Sequence, residues 1–473
     1  MHNSKLIDAL RTLTPKQLRK LEDFIASPFF NKNDDAYQLY AAIRKYEPSF
    51  NHRDLEKERI YKIAFPKEKY DEKKLGYLMS DIQRLIDKFL SYIKFIEHPV
   101  LHDYYLLTSY IDAGLDKHFS KAMKDAQQLQ RENPYRDADY FYNEFLLESL
   151  NNAYFDKQRK HVYDESLQRA IDNLDLYYLA QKLKYSCELF NRKNIVAADY
   201  RLRLLDEILL YVKDKDFEDA PAIAIYYQIL MALTESENET HFRKLKELLK
   251  TYGSKFPLLE ARDMYQYAQN YCIKRINSGS QEYLNELFQL YQTTLEAKIV
   301  FDGKYISPWT YKNIVGVALR VQEYKWVEKF IHEYKEHLSP EMRENAFAYN
   351  LASFYFNKGD FSKALELLRN VEFTDIVYSL DSKAMLLRIY YELEEVEPLW
   401  SLLDAFQVYL RRNKLISDSQ KTIYHNLIHF VKEAVRIPKG DKAAAQKLKE
   451  KIEKTKQVAY MQWLMKKVEE LMR

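Results

Sequence analysis

The chain has 473 residues and carries 73 Lys and Arg against 70 Asp and Glu, which gives a formal net charge of +3. A total charge this small provides no general electrostatic basis for binding nucleic acid. Only 8 residues are glycine, well below the usual fraction of about 7%. Strand-rich folds need glycine at tight turns, so the composition indicates helices joined by short loops.

Residues 1–97 differ in pattern from the rest of the chain. Thr14, Pro15 and Gln17 predict a capped helix start, and a longer helix is expected from about Asp71 to Ile96. No strand pair suits the wing of a winged-helix domain. We therefore predict an all-helical N-terminal cap over residues 1–97 and a second region over 98–473. The short helical patterns of the cap each end in an aromatic–proline loop, at 27–31, 48–50 and 65–66.

The first ten residues lack the apolar core and small-residue cleavage site of a signal peptide. The longest apolar-rich stretch, Ala222–Leu233, is too short to span a bilayer. Cys187 and Cys272, the only cysteines, lie in apolar helical patterns, which favours buried free thiols over a disulfide. These features predict a cytoplasmic protein with no membrane span.

From residue 98 the pattern becomes one of paired helices, because His98-Pro99 interrupts the preceding helix. Ser339, Pro340 and Glu341 predict a second capped start. A last single helix is expected at 455–472. The predicted hairpins cover residues 101–132, 136–172, 175–213, 219–252, 258–298, 308–337, 341–370, 378–412 and 417–453.

The clearest hairpin is Asn345–Leu368, in which Gly359-Asp360 forms a turn between two helices. It resembles one tetratricopeptide (TPR) repeat, and part of its pattern returns 35 residues later, close to the TPR period of 34. The resemblance is clearest over 308–412. The residues that carry it are Leu351, Ala352 and Tyr355 in the first helix, Phe361, Ala364 and Leu368 in the second, and Leu386, Tyr390 and Val396 where the pattern returns.

With its N-terminal cap, the chain also resembles uncharacterised bacterial TPR-like proteins, a resemblance that implies no activity. Membership of the TPR-like superfamily implies an all-α fold, a right-handed solenoid of antiparallel helical hairpins. It also implies that the first helices of successive hairpins line a concave face that binds a protein or peptide. The residues expected on that face are Lys312, Arg320, Tyr349, Ser353, Asn357, Arg388 and Tyr391.

Some TPR domains clamp a C-terminal carboxylate with Lys, Asn and Arg at set positions. Lys312 and Asn350 match that pattern, but Gly316, Asp381 and Met385 depart from it. Because an acid at Asp381 would repel a carboxylate, this clamp is not expected. The alternative for all the groove candidates is that they face solvent or neighbouring side chains.

Motifs for nucleotide binding and nucleophilic catalysis are missing from the sequence, so we expect a non-enzymatic protein without a cofactor. His425, His429 and Glu433 are spaced four residues apart and form a weak metal candidate. A polar helix edge is the favoured interpretation of these three residues.

The C-terminal stretch 411–473 holds 16 Lys and Arg and 7 Asp and Glu, a net charge of +9. A charged end-cap is the favoured interpretation, and Leu464 and Val468 suggest a helix that packs onto the array. The leading hypothesis is a scaffold or adaptor for a protein or peptide partner. The alternative is a nucleic-acid-associated regulator that uses the N-terminal bundle or this basic end, where Tyr460 and Trp463 would stack on bases.

Overall fold

A computed structural model describes residues 1–158, 164–193, 200–369, 371, 375–455 and 457–473. These residues form an all-α protein, which confirms the predicted fold class. The chain divides into two compact units, Met1–Lys182 and Leu183–Arg473. The predicted boundary at residues 97 and 98 stays a prediction. No described helix combines the length and the apolar content that a bilayer span requires.

The first unit begins with five helices and continues with three longer ones. A ninth helix contains the division between the units. A short 3-10 helix covers Arg53–Leu55. The helices are α1 (Lys5–Arg11), α2 (Pro15–Ala26), α3 (Asp34–Arg44), α4 (Lys57–Ala64), α5 (Glu72–Ile96), α6 (Pro99–Ala113), α7 (Asp116–Glu132), α8 (Ala138–Lys157) and α9 (Glu165–Lys193).

Helices α1–α5 share one core, which contains fully buried Ile7, Tyr40 and Ile86. The predicted start at Thr14 is confirmed, since Thr14 and Gln17 form a reciprocal capping box. The predicted long helix is also confirmed: Asp71 caps α5, and its Oδ1 accepts the backbone N–H of Lys73 at 2.8 Å. The N-terminal 97 residues contain no strand, in agreement with an all-helical region.

The second unit adds fourteen further helices among its described residues, together with one two-residue hairpin of strands. Strands β1 (Phe301–Asp302) and β2 (Tyr305–Ile306) pair antiparallel. Short 3-10 helices cover Gly253–Lys255 and Lys335–His337. The helices are α10 (Leu205–Lys213), α11 (Pro221–Thr234), α12 (Glu239–Tyr252), α13 (Leu258–Asn277), α14 (Tyr283–Glu296), α15 (Pro308–Arg320), α16 (Tyr324–Glu333), α17 (Arg343–Asn357), α18 (Phe361–Leu368), α19 (Ile376–Glu392), α20 (Val396–Arg412), α21 (Asp418–Arg436), α22 (Lys442–Lys454) and α23 (Met461–Leu471).

From α10 to α23, each helix packs against the next one along the chain. Alternate helices also pack together, including α11 with α13, α15 with α17, α17 with α19, and α21 with α23. Most of the predicted hairpins match a pair of these helices. In the pair α17–α18, fully buried Ala352 and Ala364 allow the two backbones to approach closely.

Three predicted boundaries are wrong. A single helix, α9, runs through the break expected at 173–174, because Glu165–Lys193 contains neither proline nor glycine. Helix α17 begins at Arg343 and not at Pro340, since the Ser339 carbonyl accepts the N–H groups of Met342 and Arg343 in a turn. Helix α23 begins only at Met461. The parts of predicted elements at 159–163, 194–199, 370 and 456 lie outside the described residues.

The late start of α23 has a local cause in the segment that precedes it. The Asn426 side chain donates to the Gln457 carbonyl at 2.7 Å, and the Ala459 N–H donates to the Ile423 carbonyl at 3.3 Å. These bonds hold the segment against α21. Tyr460 then adopts a φ of 53° immediately before the helix.

Gly359, the one glycine of the hairpin Asn345–Leu368, should be difficult to replace. It ends α17 with a φ of 80°, which L-residues adopt at a cost. Replacing Gly359 by Ala should lower the free energy of unfolding by about 1 kcal/mol. The control is Gly316→Ala, since Gly316 lies inside α15 with nothing within 4 Å of an added Cβ. That change should stabilise the protein by up to about 1 kcal/mol in urea unfolding. Equal effects at both sites would contradict the role of backbone conformation.

Candidate functional site

A groove of about 350 Å³ lies between helices α13, α15 and α17, with α14 at its floor. We call it the α13–α17 groove. Four of the seven residues predicted from the sequence line it together. They are Lys312 and Arg320 from α15 and Tyr349 and Ser353 from α17. The apolar lining includes Ile276 and Leu287, which are buried, and Ile273 and Val317, which are more exposed.

Lys312 lies at the buried end of this groove and forms an ion pair with Asp381 of α19. Its ammonium is also 5.6 Å from the centroid of the Tyr349 ring. The other oxygen of Asp381 accepts the hydroxyls of Tyr424 at 2.8 Å and Tyr460 at 3.2 Å. The Asp381 carboxylate therefore connects α15, α21 and the residue before α23. From the sequence, Asp381 was expected only to repel an anionic ligand.

Arg320 occupies the other end of the groove and is exposed. Its guanidinium donates to the neutral Oε1 of Gln281 at 3.0 Å. None of the described residues that line the α13–α17 groove is acidic. The charge of Arg320 is thus available there, while that of Lys312 is compensated by Asp381.

Two further groove residues come from α17. Tyr349 is buried, and burial together with the Asp381 carboxylate raises the pKa of its hydroxyl well above the ordinary value. Asn350 is also buried and donates to the Ala346 carbonyl at 2.7 Å. Its Oδ1 accepts no hydrogen bond from any described residue. A buried acceptor without a donor is unfavourable by about 1–3 kcal/mol. Because Asn350 is only 1% exposed, a ligand in the groove does not reach this oxygen.

The remaining predicted residues do not belong to this groove. Asn357 is exposed at the end of α17, where its amide donates to the Ser353 carbonyl at 2.8 Å. Arg388 is buried, with its guanidinium 3.8 Å from the centroid of the Tyr460 ring. Tyr391 packs edge-to-face on Trp463 at 5.4 Å between ring centroids. The C-terminal helix therefore covers the last two candidates.

Arg388 and Tyr391 are covered by α23 and by Tyr460, the residue before it. Trp463 Nε1 and Lys467 Nζ each lie 2.7 Å from a different oxygen of the Glu392 carboxylate. Leu464 and Val468, on the other side of α23, are buried in the core formed with α20, α21 and α22. The predicted packing of this helix is confirmed, and Tyr460 and Trp463 are engaged by the chain itself.

A second groove, of about 300 Å³, lies between α9, α11 and α13. We call it the α9–α13 groove. Its lining is polar and includes Glu188 and Arg192 from α9 and Asp263, Tyr267 and Asn270 from α13. Sequence reasoning missed this site because the repeat pattern fades upstream of residue 258. The spacing of Asp263, Tyr267 and Asn270 on one helical face is the signal that indicates it.

Most charges of the α9–α13 groove are compensated by a neighbour. Lys184 Nζ lies 3.1 Å from Glu260 Oε1, which also accepts the Tyr226 hydroxyl at 2.7 Å. Arg192 lies 3.8 Å from Glu188. Among the described residues, no side chain forms a hydrogen bond or ion pair with the Asp263 carboxylate. Partial burial raises the pKa of Asp263; the Lys184 and Arg262 cations oppose this shift and Glu260 reinforces it.

The weak metal candidate is not assembled as a ligand set. Within the described ranges, no three His, Cys, Asp or Glu side chains are grouped closely enough to hold a metal ion. Glu433 instead lies 3.1 Å from His429 Nε2 and 3.0 Å from Lys451 Nζ. His425 takes no part in these contacts. The three residues form part of a polar, ion-paired helix edge.

Both cysteines should be unreactive in the folded protein. Cys187 and Cys272 are free and buried, which confirms the prediction of buried thiols. Burial raises the pKa of Cys272 to about 12 and shifts the pKa of Cys187 in the same direction. Since the thiolate is the reactive form, Ellman's reagent at about pH 8 should react slowly with the native protein. Both thiols should react quickly in denaturant, and fast reaction of either one in the native state would contradict their burial.

Comparisons with protein-family models, with curated proteins and with solved structures find no match for this chain.

Proposed function

We propose that this protein is a non-enzymatic scaffold or adaptor that binds a protein or peptide partner on the concave face of a TPR-like helical solenoid. The observation that carries the proposal is the α13–α17 groove. Lys312, Arg320, Tyr349 and Ser353 come from two different helices and line one open groove. Sequence reasoning had selected them as residues of a single binding surface.

The packing of the second unit supports a solenoid. Contacts follow chain order from α10 to α23, and α11–α13, α15–α17 and α17–α19 link the first helices of successive hairpins. Helical repeats build a continuous surface in this way, since each hairpin covers the apolar face of its neighbour. On this arrangement α13, α15 and α17 supply the concave face.

The chemistry of the groove suits a peptide. Its apolar lining would take a side chain from the partner, and Tyr and Arg are common anchors in interfaces. The two buried, unpaired cysteines fit a reducing compartment, and the proposal includes a cytoplasmic location.

A nucleic-acid-binding role for the basic end has less support. Several of its cations already have carboxylate neighbours: Lys432 pairs with Asp404, Lys449 with Glu469, and Lys467 with Glu392. Binding to nucleic acid depends on Lys and Arg side chains that are free to neutralise phosphates and so displace the counter-ions condensed on them. We therefore retain a protein or peptide as the partner.

Site-specific photo-crosslinking tests the proposed function. A benzophenone amino acid at Ser353 should capture a discrete partner when the full chain is expressed in its native cells. The matched control places the same group at Lys325, which is exposed on α16 outside both grooves. Adducts at Ser353 that are missing at Lys325 would support the groove as the binding surface. Equal labelling at both positions, or no adduct at Ser353, would overturn it.

A further inference from the structure

One face of α13 connects the two grooves. Asp263, Tyr267 and Asn270 line the α9–α13 groove, and Ile273 and Asn277 line the α13–α17 groove. Their spacings of three or four residues place them along one stripe of the helix. A ligand that follows α13 would therefore meet both grooves in turn.

The two ends of this stripe carry opposite available charges. At one end Asp263 has no ion-pair partner among the described residues, while Lys184 and Arg192 are each matched by a glutamate. At the other end Arg320 contacts the neutral Gln281 in a groove without an acidic lining residue. The stripe thus presents a negative site beside Tyr267 and a positive site beside Asn277.

The region between the charged ends is suited to a peptide main chain. Asn270, between the two ends, and Asn277 and Asn313, in the second groove, offer amide groups that both donate and accept hydrogen bonds. Ile273 and Val317 give an apolar surface between the two charges. These groups match an extended backbone with one apolar side chain directed at the groove.

The length of the stripe sets the spacing that a ligand must have. Asp263 and Asn277 are separated by about 21 Å along the axis, at 1.5 Å per residue. An extended peptide rises about 3.3 Å per residue. The two charged sites are therefore about six peptide residues apart.

We propose that this face of α13 binds an extended peptide segment with a basic side chain at Asp263 and Tyr267, an acidic side chain at Arg320, and an apolar side chain between them. The basic and acidic residues would lie about six positions apart. This inference rests on the proposed function and specifies the class of its partner. Charge complementarity at the two ends selects such a segment over a uniformly acidic or uniformly basic one.

Selection from a phage-displayed library of random dodecapeptides tests the inference with the full-length protein. Enriched sequences should carry a basic and an acidic residue about six positions apart, with an apolar residue between. Against the Asp263→Lys variant, an acidic residue should replace the basic one. Against Arg320→Glu, a basic residue should replace the acidic one. Glu328→Lys and Lys325→Glu on α16, both exposed, are the matched charge controls and should leave the selection unchanged.

Fluorescence anisotropy with the most enriched peptide measures the dissociation constant. Asp263→Lys should weaken its binding about fivefold or more, and exchanging the basic residue of the peptide for Glu should restore it. No enrichment, enrichment without the charge pair, or a preference insensitive to both groove variants would overturn the inference. Groove-specific crosslinks at Ser353 combined with any of these results would preserve the proposed function and reject only this class of partner.

Discussion

Replacing Asp381 by Ala should lower the free energy of unfolding by about 3–5 kcal/mol, because it leaves a buried cation without its counter-ion. The Lys312 side chain is only 18% exposed and pairs with Asp381. The same change also removes the acceptor of the Tyr424 and Tyr460 hydroxyls. Equilibrium unfolding in urea would measure the loss, and hydrogen exchange should rise in α15, α19 and α21.

Asp404→Ala is the matched control for this prediction. Asp404 also forms an ion pair, with Lys432 Nζ at 2.7 Å, but its side chain is 71% exposed. Solvent screens such a pair, so its removal should change stability by at most about 1 kcal/mol. The double variant Lys312→Met, Asp381→Leu should recover part of the loss, since no uncompensated charge then stays buried. Similar losses for Asp381→Ala and Asp404→Ala would contradict the special position of Asp381.

Replacing Phe406 by Ala should have a similarly large effect, a loss of about 3–5 kcal/mol, since it leaves a cavity in a closed core. The ring is fully buried on α20 and lies 5.7 Å from that of Tyr424 between centroids. Its core includes Leu380 of α19, Leu427 of α21 and Leu464 of α23. Urea unfolding followed by tryptophan fluorescence would detect the loss, because Trp400 and Trp463 border this core.

Phe29→Ala is the control of the same residue type. Phe29 is 85% exposed, so its truncation should change stability by less than about 0.5 kcal/mol. Hydrogen exchange adds a spatial test. Phe406→Ala should increase exchange in α19–α23 and leave α1–α5 unchanged, because those helices have a separate core. Increased exchange in α1–α5 would show that the two cores are energetically coupled.

Rules that act within one helical turn predicted the helices whose ends are marked by capping residues or glycine. Thr14 with Gln17 determined the start of α2, and Asp71 determined that of α5, since a cap needs only residues within one turn. Gly359 determined the turn after α17 for the same reason. The rules failed at α9, where no proline or glycine marks an end, and at α17, where hydrogen bonds of Ser339 delay the helix.

The candidate site was predictable only where the repeat pattern was clear. The resemblance to TPR repeats implied that Lys312, Arg320, Tyr349 and Ser353 share one binding face, and these four residues line one groove. It did not identify the pairing of Lys312 with Asp381, because those residues are 69 positions apart. Nor did it show that Tyr460 and Trp463 cover Arg388 and Tyr391.

The sequence by itself thus determined an all-α chain, most of its hairpins and the buried face of some helices, such as α2 and α5. These depend on propensity, capping and period, which act over one to four residues. Tertiary structure alone decided which grooves stay open, which charges are compensated and where the C-terminal helix packs. Those properties depend on contacts between distant segments, and the order of residues within a helix does not specify its neighbours. The hairpin at Asn345–Leu368 illustrates both levels: its turn depends on local residues, whereas the groove beside Tyr349 also requires α13 and α15.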